Sequence, residues 1–336
     1  MTIKDLSART GYSVGTVSRA LNNHPNVSKK AREEILQAAE AMGFQLNANA
    51  KQLKQQHGNS VLVVVKGTSN ELFAELVEAI QTRFTPLQYP LIVDYLDEDR
   101  NEVERAAQLC AEKKPLGILF LGGNQQNFRS HFPKIDVPCV LVTNSAAELE
   151  FSNLSSVYTD DFQASRDAME ALISMGHRKI AIIGGKYGGS DTSRLRYDGC
   201  LAALNRQGVA FDREKDYVGV RFSYYDGYEA TRQLLRSGRE FTALFAVADV
   251  IAIGAIRALQ DHGLRVPEDV SVMGYDGLPL GSFLVPRLST VNQWVEQLAK
   301  RSVDILLDCI EDGGISRHET VPYTIFKRES TSTLGK

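Results

Sequence analysis

From residue 60 onwards, short runs of β-branched and aliphatic residues alternate with stretches in which apolar residues recur at helical spacing. The runs predict strands at 61–65, 91–94, 117–121, 137–142, 180–184, 217–220, 243–247 and 270–275. The stretches predict amphipathic helices at 71–83, 102–112, 162–175, 194–207, 227–236 and 251–262. This alternation predicts parallel sheets covered by helices, with enough strands for two doubly wound lobes. A ligand would bind beyond the carboxyl ends of the strands, in the cleft between the lobes.

The first 45 residues show a different pattern, that of three short helices. Residues 2–5 have the form of a capping box, and Gly11 can end the first helix in a left-handed conformation. Ser13 can cap a second helix over 14–21, and a third helix is predicted over 28–42. Small polar residues and an arginine on the outer face of the second helix predict a helix-turn-helix that enters the major groove of DNA. The alternative is a small three-helix bundle with a solvated polar face.

The charge of the chain is unevenly distributed between these two parts. The chain has 336 residues, of which 43% are hydrophobic, so it can bury a sizeable core in two or three domains. Its formal net charge of −3 argues, taken alone, against a nucleic-acid-binding protein. Residues 1–57, however, hold eight basic and four acidic residues and carry +4, which leaves −7 on the remainder. A basic head on an acidic body indicates a nucleic-acid-binding module joined to a second function.

Several classes of protein are disfavoured by motifs that the sequence lacks. No CxxC pair occurs among the four distant cysteines, which indicates free thiols in a reducing cytosol at Cys110, Cys139, Cys200 and Cys309. Met1 is not followed by a secretory signal, and the longest aliphatic run is too short to span a bilayer. We therefore expect a cytoplasmic protein without a membrane partner. The glycine-rich segment 184–190 lacks the order of a phosphate-binding loop, and HExxH and GxSxG are absent. We expect no catalytic machinery, metal or cofactor.

Two sets of residues resemble one known family. In the head they are TIKDL (2–6), SVGTVSRALN (13–22), VS (27–28) and GF (43–44). In the body they are GHRKI (176–180), RYDG (196–199), AIGA (252–255), VPEDVSVMGYD (266–276), PRLSTV (286–291) and KREST (327–331). Together they resemble the lactose/galactose repressor (LacI/GalR) family of bacterial transcription regulators, over nearly the whole chain.

The resemblance implies the organisation of the whole chain. It implies a small all-α helix-turn-helix head at 1–45, a hinge helix or linker at 46–58, and an α/β effector domain that is periplasmic-binding-protein-like. That domain would have two doubly wound parallel-sheet lobes, formed by 59–158 with 291–322 and by 159–290 with 323–336. Three crossings of the chain would link the lobes, near residues 158–161, 289–291 and 322–324.

In the head, the resemblance places DNA contacts on the second helix. The two specificity positions of the family fall on Val14, which can touch a thymine methyl group, and on Gly15, which has no side chain. Arg19 is then the expected reader of a guanine. The residues expected to position phosphates are Ser13, Thr16, Ser18 and Asn22.

The hinge is expected to contact the minor groove of DNA through Ala50 and Leu53. By resemblance, Leu53 is the leucine wedged between base pairs, and the cost of unstacking them is offset by contacts to the bent DNA. The chain departs from the family at Leu46, where proline is usual, and at Lys51, where arginine is usual. The alternative for Leu53 is an apolar residue of a simple linker.

The resemblance also carries over a set of effector contacts, which are Asn70, Phe73, Arg196, Phe222, Asp249 and Asp276. The family's aspartate after the fourth strand is replaced here by Thr143 followed by Asn144, and both are included as polar effector contacts. Arg196 and Asp276 offer donors and acceptors for vicinal hydroxyls, and Phe222 can stack on the apolar face of a pyranose. The alternatives are a structural ion pair between Arg196 and Asp276, and core packing for the two phenylalanines.

The sequence thus predicts a homodimeric, DNA-binding transcription regulator, a repressor that a sugar or sugar phosphate releases from its operator. A purine-like corepressor and an activator role stay open within this prediction. A solute-binding transport protein would need an export signal and no helix-turn-helix, and a sugar-acting enzyme would need an acid/base pair in the cleft. The identity of the effector and the place of Trp294, in the cleft or at a subunit interface, stay open as well.

Overall fold

The structure, a computed structural model, describes residues 3–21, 27–42, 58–68, 70–87, 89–186 and 190–335. The chain divides into two compact units, Met1–His57 and Gly58–Lys336. Three residues predicted to contact DNA, Asn22, Ala50 and Leu53, lie outside the described residues, as does the predicted hinge over 46–57. For residues 3–5, 14, 18 and 19 the description is limited to the backbone.

The first unit contains three helices, α1 (Ile3–Thr10), α2 (Val14–Leu21) and α3 (Lys29–Ala41). Gly11 has a φ of +74°, which glycine adopts without strain, and so α1 ends there and the chain turns directly into α2. One side chain or more from each helix enters a common core, made of Leu6, Val17, Ala20, Ile35 and Ala39. The predicted helix-turn-helix head is confirmed.

The second unit contains two six-stranded sheets, which define its two lobes. The strands of the first lobe are β1 (Val61–Lys66), β2 (Leu91–Leu96), β3 (Gly117–Leu121), β4 (Cys139–Val142), β5 (Leu154–Tyr158) and β11 (His318–Thr320). They are parallel, in the order β11-β5-β4-β3-β1-β2. The helices of this lobe are α4 (Glu71–Phe84), α5 (Glu102–Lys113), α6 (Gln125–His131) and α12 (Val295–Asp312).

The second lobe repeats this architecture. Its strands are β6 (Ile180–Gly185), β7 (Tyr217–Val220), β8 (Ala243–Ala246), β9 (Ser271–Asp276), β10 (Ser289–Gln293) and β12 (Tyr323–Phe326). Their order is β12-β10-β9-β8-β6-β7, and β12 runs antiparallel to β10 while the others are parallel. The helices are α7 (Asp161–Ser174), α8 (Asp191–Arg206), α9 (Arg213–Asp216), α10 (Tyr224–Arg236) and α11 (Asp249–Asp261). The predicted α/β body of two doubly wound lobes is confirmed.

Four of these strands, β5, β10, β11 and β12, were not predicted from the sequence, because they are short or polar. β5 carries Ser155 and Ser156 at its centre, and all five residues of β10 are buried although four of them are polar. Hydrogen bonds to residues distant along the chain satisfy some of these side chains. The Ser156 Oγ accepts from the Ala146 amide at 3.0 Å, and the Thr290 Oγ1 donates to the Asp249 Oδ1 at 2.7 Å. Apolar periodicity carries no signal for a strand of this kind.

The chain passes between the lobes three times, after β5, after β10 and after β11. The expected second crossing at 289–291 was placed too early. β10 pairs with β9 from Ser289 to Asn292 and therefore belongs entirely to the second lobe. The chain leaves that lobe between Gln293 and Val295, so the second segment of the first lobe begins about three residues later than expected.

Two helices of the second lobe, α10 and α11, approach each other closely through glycine. A Cβ on Gly254 of α11 would lie 2.1 Å from the carbonyl oxygen of Tyr224, and a Cβ on Gly227 of α10 would lie 2.4 Å from that of Ile251. Both obstacles are backbone atoms, which side-chain rotation cannot move. The contact between the helices therefore requires glycine at both positions.

We expect Gly254→Ala to lower the free energy of unfolding by about 2 kcal/mol, because the added methyl group must separate α10 from α11. Urea denaturation at one protein concentration measures the change. Gly314→Ala is the control, since its Cβ would meet nothing closer than 3.4 Å and the residue has no positive φ. Equal stabilities of the two variants would contradict the close approach of the helices.

Candidate functional site

In the head, three of the predicted DNA contacts have described side-chain environments. Gly15 is exposed on α2, opposite the buried Val17. The Oγ of Ser13 accepts from the Thr16 amide at 3.2 Å and lies 2.9 Å from the Thr16 Oγ1, so it caps α2. The backbone of α2 also includes Val14, Ser18 and Arg19, whose side chains lie outside the description.

In the body, a cavity of about 340 Å³ lies between the two sheets, among the loops at the carboxyl ends of their strands. Both lobes contribute to it, as the parallel topology predicts. Seven of the eight predicted effector contacts line this cavity, namely Asn70, Phe73, Thr143, Asn144, Arg196, Phe222 and Asp276. The sequence therefore identified residues that are distant along the chain and adjacent in space.

The two predicted aromatic residues lie on different lobes and pack on glycines. A Cβ on Gly122 would lie 2.8 Å from the Phe73 Cζ, and a Cβ on Gly185 would lie 3.2 Å from the Phe222 Cε2. Both rings line the cavity, although Phe73 is also part of the core of the first lobe. The cavity thus offers an apolar aromatic surface from each lobe to a bound molecule.

Arg196 is the centre of a buried ionic cluster at the floor of the cavity. Its side chain is 3% exposed, and its Nε donates to the Asp161 Oδ1 at 2.9 Å. Its Nη1 donates to the Val247 carbonyl at 2.6 Å and to the Asp276 Oδ1 at 3.3 Å. The ring of Tyr275 lies 3.6 Å from the guanidinium carbon, and its hydroxyl donates to the same oxygen of Asp161 at 2.7 Å. Arg196 is therefore held in one orientation.

Asp276 presents a carboxylate oxygen to which no described residue donates. Its Oδ1 accepts from Arg196 and, at 2.9 Å, from the Nε2 of Gln293, whereas its Oδ2 is buried without a partner among the described residues. The residue has a φ of +115°, which is strained for an aspartate. Burial raises the pKa of Asp276 to about 6, against the opposing effect of Arg196. A buried oxygen that lacks a donor in a cavity indicates a position for a ligand hydroxyl or amine.

Asp249 was predicted to contact the effector, but it does not line the cavity. Its Oδ2 accepts from the amides of Gly277 and Leu278 at 2.9 and 2.7 Å, and its Oδ1 accepts from Thr290. Burial holds its pKa well above the usual value. Since these bonds use both oxygens, Asp249 fixes the turn that follows Asp276 and acts as a positioning residue.

The substituted pair after β4 reaches across the cleft. Thr143 has a φ of +77°, and its Oγ1 donates to the Asn144 Oδ1 at 3.2 Å. The Nδ2 of Asn144 then donates to the Thr192 Oγ1 of the other lobe at 2.7 Å. Asn70 lines the cavity while its Oδ1 caps α4 by accepting from the Leu72 amide at 3.1 Å.

Several residues of the cavity were missed by the sequence analysis. They include Lys66, which pairs with the buried Glu102, the acidic residues Asp97, Glu98 and Asp99, and Arg221, which contacts all three of them. Gly185, Lys186 and Ser190 of the glycine-rich segment also line the cavity, whereas 187–189 lie outside the described residues. Charged residues in loops are common, and no local pattern in the sequence separates these from ordinary surface charges.

Trp294, whose place the sequence left open, is absent from the lining of the cavity. It lies at the second crossing, and its Nε1 donates to the Thr324 Oγ1 at 3.3 Å. Its ring meets that of Phe326 edge to face, with centroids 6.3 Å apart. Trp294 therefore connects the second crossing to β12, just beyond the third.

The described part of the chain contains no group of three or more His, Cys, Asp or Glu side chains arranged to hold a metal ion. None of its helices is long and apolar enough to span a membrane.

Comparisons with known proteins agree with this architecture. Residues 2–47 match the family model described as bacterial regulatory proteins, lacI family, and residues 169–331 match that of a periplasmic binding protein-like domain. The HTH-type transcriptional regulator MalR of Clostridium butyricum is 32% identical over 333 residues, which cover 98% of this chain and 99% of that protein.

Solved structures give the same result over the full length. The lac repressor dimer bound to operator and the anti-inducer ONPF superposes with a TM-score of 0.78 at 26% identity, covering 99% of both chains. The transcriptional regulator CelR in complex with cellobiose gives 0.72 at 26% identity, covering 98% of this chain and 99% of CelR. The chain is thus a DNA-binding transcription regulator and not an enzyme. It belongs to the lacI family of bacterial regulatory proteins.

Proposed function

We propose that this regulator is a repressor, and that a sugar or sugar phosphate bound in the cavity releases it from its operator. The observation that carries the proposal is the buried Oδ2 of Asp276, which lacks a donor and lies beside the fixed guanidinium of Arg196. A carboxylate oxygen beside a fixed donor suits a pair of adjacent hydroxyl groups, and the two phenylalanines suit the apolar faces of a sugar ring. Cellobiose in the structure of CelR supports this class of effector.

The cluster around Arg196 connects the cavity with two of the three crossings. Asp161 is the first residue of α7, immediately after the first crossing, and Gln293 is the last residue of β10, immediately before the second. Both are bonded to the Arg196–Asp276 pair. A ligand that donates to Asp276 would therefore act on a hydrogen-bonded cluster that reaches the ends of two crossings. Effector binding and lobe angle would be coupled, typically by about 1–3 kcal/mol.

A purine-like corepressor is the second candidate, and the two aromatic residues favour it. Phe73 and Phe222 come from opposite lobes, and both can stack on a flat heterocycle as well as on a sugar. Asp276 would then accept from a ring N–H or an exocyclic amine. The two candidates differ in sign, since a purine corepressor would strengthen operator binding and an inducing sugar would weaken it.

At the DNA, we propose that α2 enters the major groove with Val14, Gly15 and Arg19 towards the bases. Ser13, Thr16, Ser18 and Asn22 would position phosphates, and Ala50 and Leu53 of the hinge would contact the minor groove. The charge of +4 on residues 1–57 supports this, because phosphate neutralisation makes binding strong and dependent on salt. The head would span 1–45 and the hinge 46–58, and the protein would act in the cytoplasm.

We propose that the chain forms a homodimer through its body, and the lac repressor is a dimer in the operator-bound structure. The loop after β9 supports this interface. Leu280, Phe283 and Val285 lie within six residues of one another and are 41%, 81% and 88% exposed. Large apolar side chains grouped in this way are typical of a surface that a partner covers.

Arg19→Ala tests the reading of DNA bases. We expect it to weaken binding to the selected operator by about 1–3 kcal/mol, because a guanine contact is lost, and to weaken binding to a scrambled duplex much less. Fluorescence anisotropy at one fixed salt concentration measures both affinities. Arg206→Ala, which removes an exposed arginine paired with Glu170 in the body, is the control and should change neither. Equal losses on both duplexes would refute base reading by Arg19.

Asp276→Asn tests the effector site. A thermal-shift screen of sugars, sugar phosphates and purines against the wild type identifies the ligand, and the variant should bind it at least about tenfold more weakly. The ligand should also lose its effect on operator binding. Asp261→Asn, on the far end of α11 and paired with Arg257, is the control and should keep both responses. A variant that responds like the wild type would rule out Asp276 as a contact.

The same variant gives a pH signature. The carboxyl of Asp276 has a pKa of about 6 in the folded protein and 3.8 as its ordinary value, so the folded state binds the proton more tightly. The wild type should therefore lose stability relative to Asp276→Asn as the pH rises from about 4 to about 6, and the difference should be constant above that range. Denaturation midpoints across this range measure it. A difference that does not vary with pH would contradict the raised pKa.

Phe283→Asp tests the dimer surface. We expect the dissociation constant of the dimer to rise at least about tenfold, because a charge would be buried at the proposed interface. Sedimentation velocity over a range of concentrations measures it. Ile315→Asp is the matched control, since Ile315 is equally exposed at 81% but lies outside the loop after β9. Dimers of unchanged strength in Phe283→Asp would place the interface elsewhere.

A further inference from the structure

The rim of the cavity contains a cluster of charges that joins the two lobes. Arg221 follows β7 in the second lobe, and Asp97, Glu98 and Asp99, here called the acidic loop, follow β2 in the first lobe. The Nε of Arg221 donates to the Glu98 Oε1 at 2.5 Å, and its Nη2 donates to the Asp97 Oδ1 at 2.6 Å. The Asp99 Oδ2 lies 3.4 Å from the same Nη2. One guanidinium thus bridges three carboxylates across the cleft.

Both sides of this contact are organised by local hydrogen bonds. The Asp97 Oδ1 accepts from the amide of Asp99 at 3.0 Å, which turns the acidic loop back towards the cleft, and this bond together with Arg221 lowers the pKa of Asp97. The carbonyl of Arg221 accepts from the amide of Ser223 at 2.9 Å, and Ser223 is the N-cap of α10. Little backbone freedom is therefore lost when the ion pairs form. The ion pairs consequently contribute more net free energy to the contact between the lobes.

These ion pairs differ from the others in the described part of the chain. Every other ion pair found there joins two residues of a single lobe, or two residues on the same side of the cleft. Polar contacts across the cleft in this part also include hydrogen bonds, from Asn144 to Thr192, from Tyr224 to Glu71, and from the amide of Gln125 to the Asp191 Oδ2 at 3.0 Å. Among the ion pairs of the described residues, those of Arg221 are therefore the ones that connect the two lobes.

We propose that Arg221 and the acidic loop form an ionic latch that holds the cleft closed and limits the passage of molecules into the cavity. All four residues line the cavity, so opening the lobes at this rim must break the pairs. Their side chains are 32–76% exposed, so water and salt compete with each pair, and the latch is reversible. The inference rests on the proposed function only in treating the cavity as the effector site.

Hydrogen exchange of the Gln125 amide tests the latch in the full-length protein without any ligand. This amide is bonded across the cleft but does not touch Arg221, so its exchange reports opening of the lobes. We expect Arg221→Ala to speed its exchange about fivefold, as measured by mass spectrometry with fragmentation to single residues. Raising the salt from about 0.05 M to about 0.5 M should have a similar effect on the wild type and little effect on the variant.

Three further variants make the test specific. The triple variant Asp97→Asn, Glu98→Gln, Asp99→Asn should reproduce the fivefold change, and adding Arg221→Ala to it should change nothing more. Arg265→Ala removes an exposed arginine paired with Asp269 within the second lobe, and it should leave the Gln125 amide unaffected. The proposal is overturned if Arg221→Ala changes the exchange no more than Arg265→Ala does, or if the two sets of changes are additive. Because no effector or operator is used, the outcome is independent of whether a sugar binds.

Discussion

Burial of the Arg196 guanidinium at the floor of the cleft constrains the site more than any other interaction. A charge removed from water is costly unless it is fully paired, and Arg196 lies between Asp161 and Asp276 with the ring of Tyr275 against its face. Its pKa is raised, because the two carboxylates more than offset desolvation. The partners come from α7 and β9, so α8 can carry the arginine only if those elements are in place. Loss of both carboxylates would leave the buried guanidinium charge uncompensated.

Under the proposed function, the same cluster would let a bound small molecule affect a distant part of the chain. A structural ion pair and a ligand contact were alternatives in the sequence, but the geometry accommodates both, since the Oδ1 of Asp276 pairs with Arg196 while its Oδ2 lacks a described partner. Asp161 and Gln293 extend the cluster to the start and end of two crossings. A ligand group that donates to this oxygen would change the hydrogen bonds of the cluster. Because the cluster reaches two crossings, the angle between the lobes would change with them. Differential binding to two lobe angles is the condition that regulation requires.

The sequence predicted those parts of the structure that local chemistry determines. Eight apolar strands and their helices follow from periodicity. Arg196 and Asp276 were singled out because each lies in a run of consecutive residues that resembles the family, and both line the cavity. Asp249 was misassigned because a motif gives the identity of a residue but not the direction of its side chain, and here both oxygens are used by the turn at Gly277 and by Thr290. Asp161 and Arg221 were missed for a related reason. Their importance arises from partners that lie at least 35 residues away along the chain, and no local pattern reports such contacts.

The cleft therefore combines two kinds of charge interaction with different physical properties. At the floor, Arg196 and its partners are buried, so salt barely screens them and their geometry is fixed. At the rim, Arg221 and the acidic loop are exposed, so each pair contributes little and responds to ionic strength. A buried cluster suits recognition, because ligand groups are placed against rigid partners in a low dielectric. An exposed cluster suits opening and closing, because it can break at small cost. Under the proposed function, this division between floor and rim would let the cleft hold a ligand firmly and still exchange it.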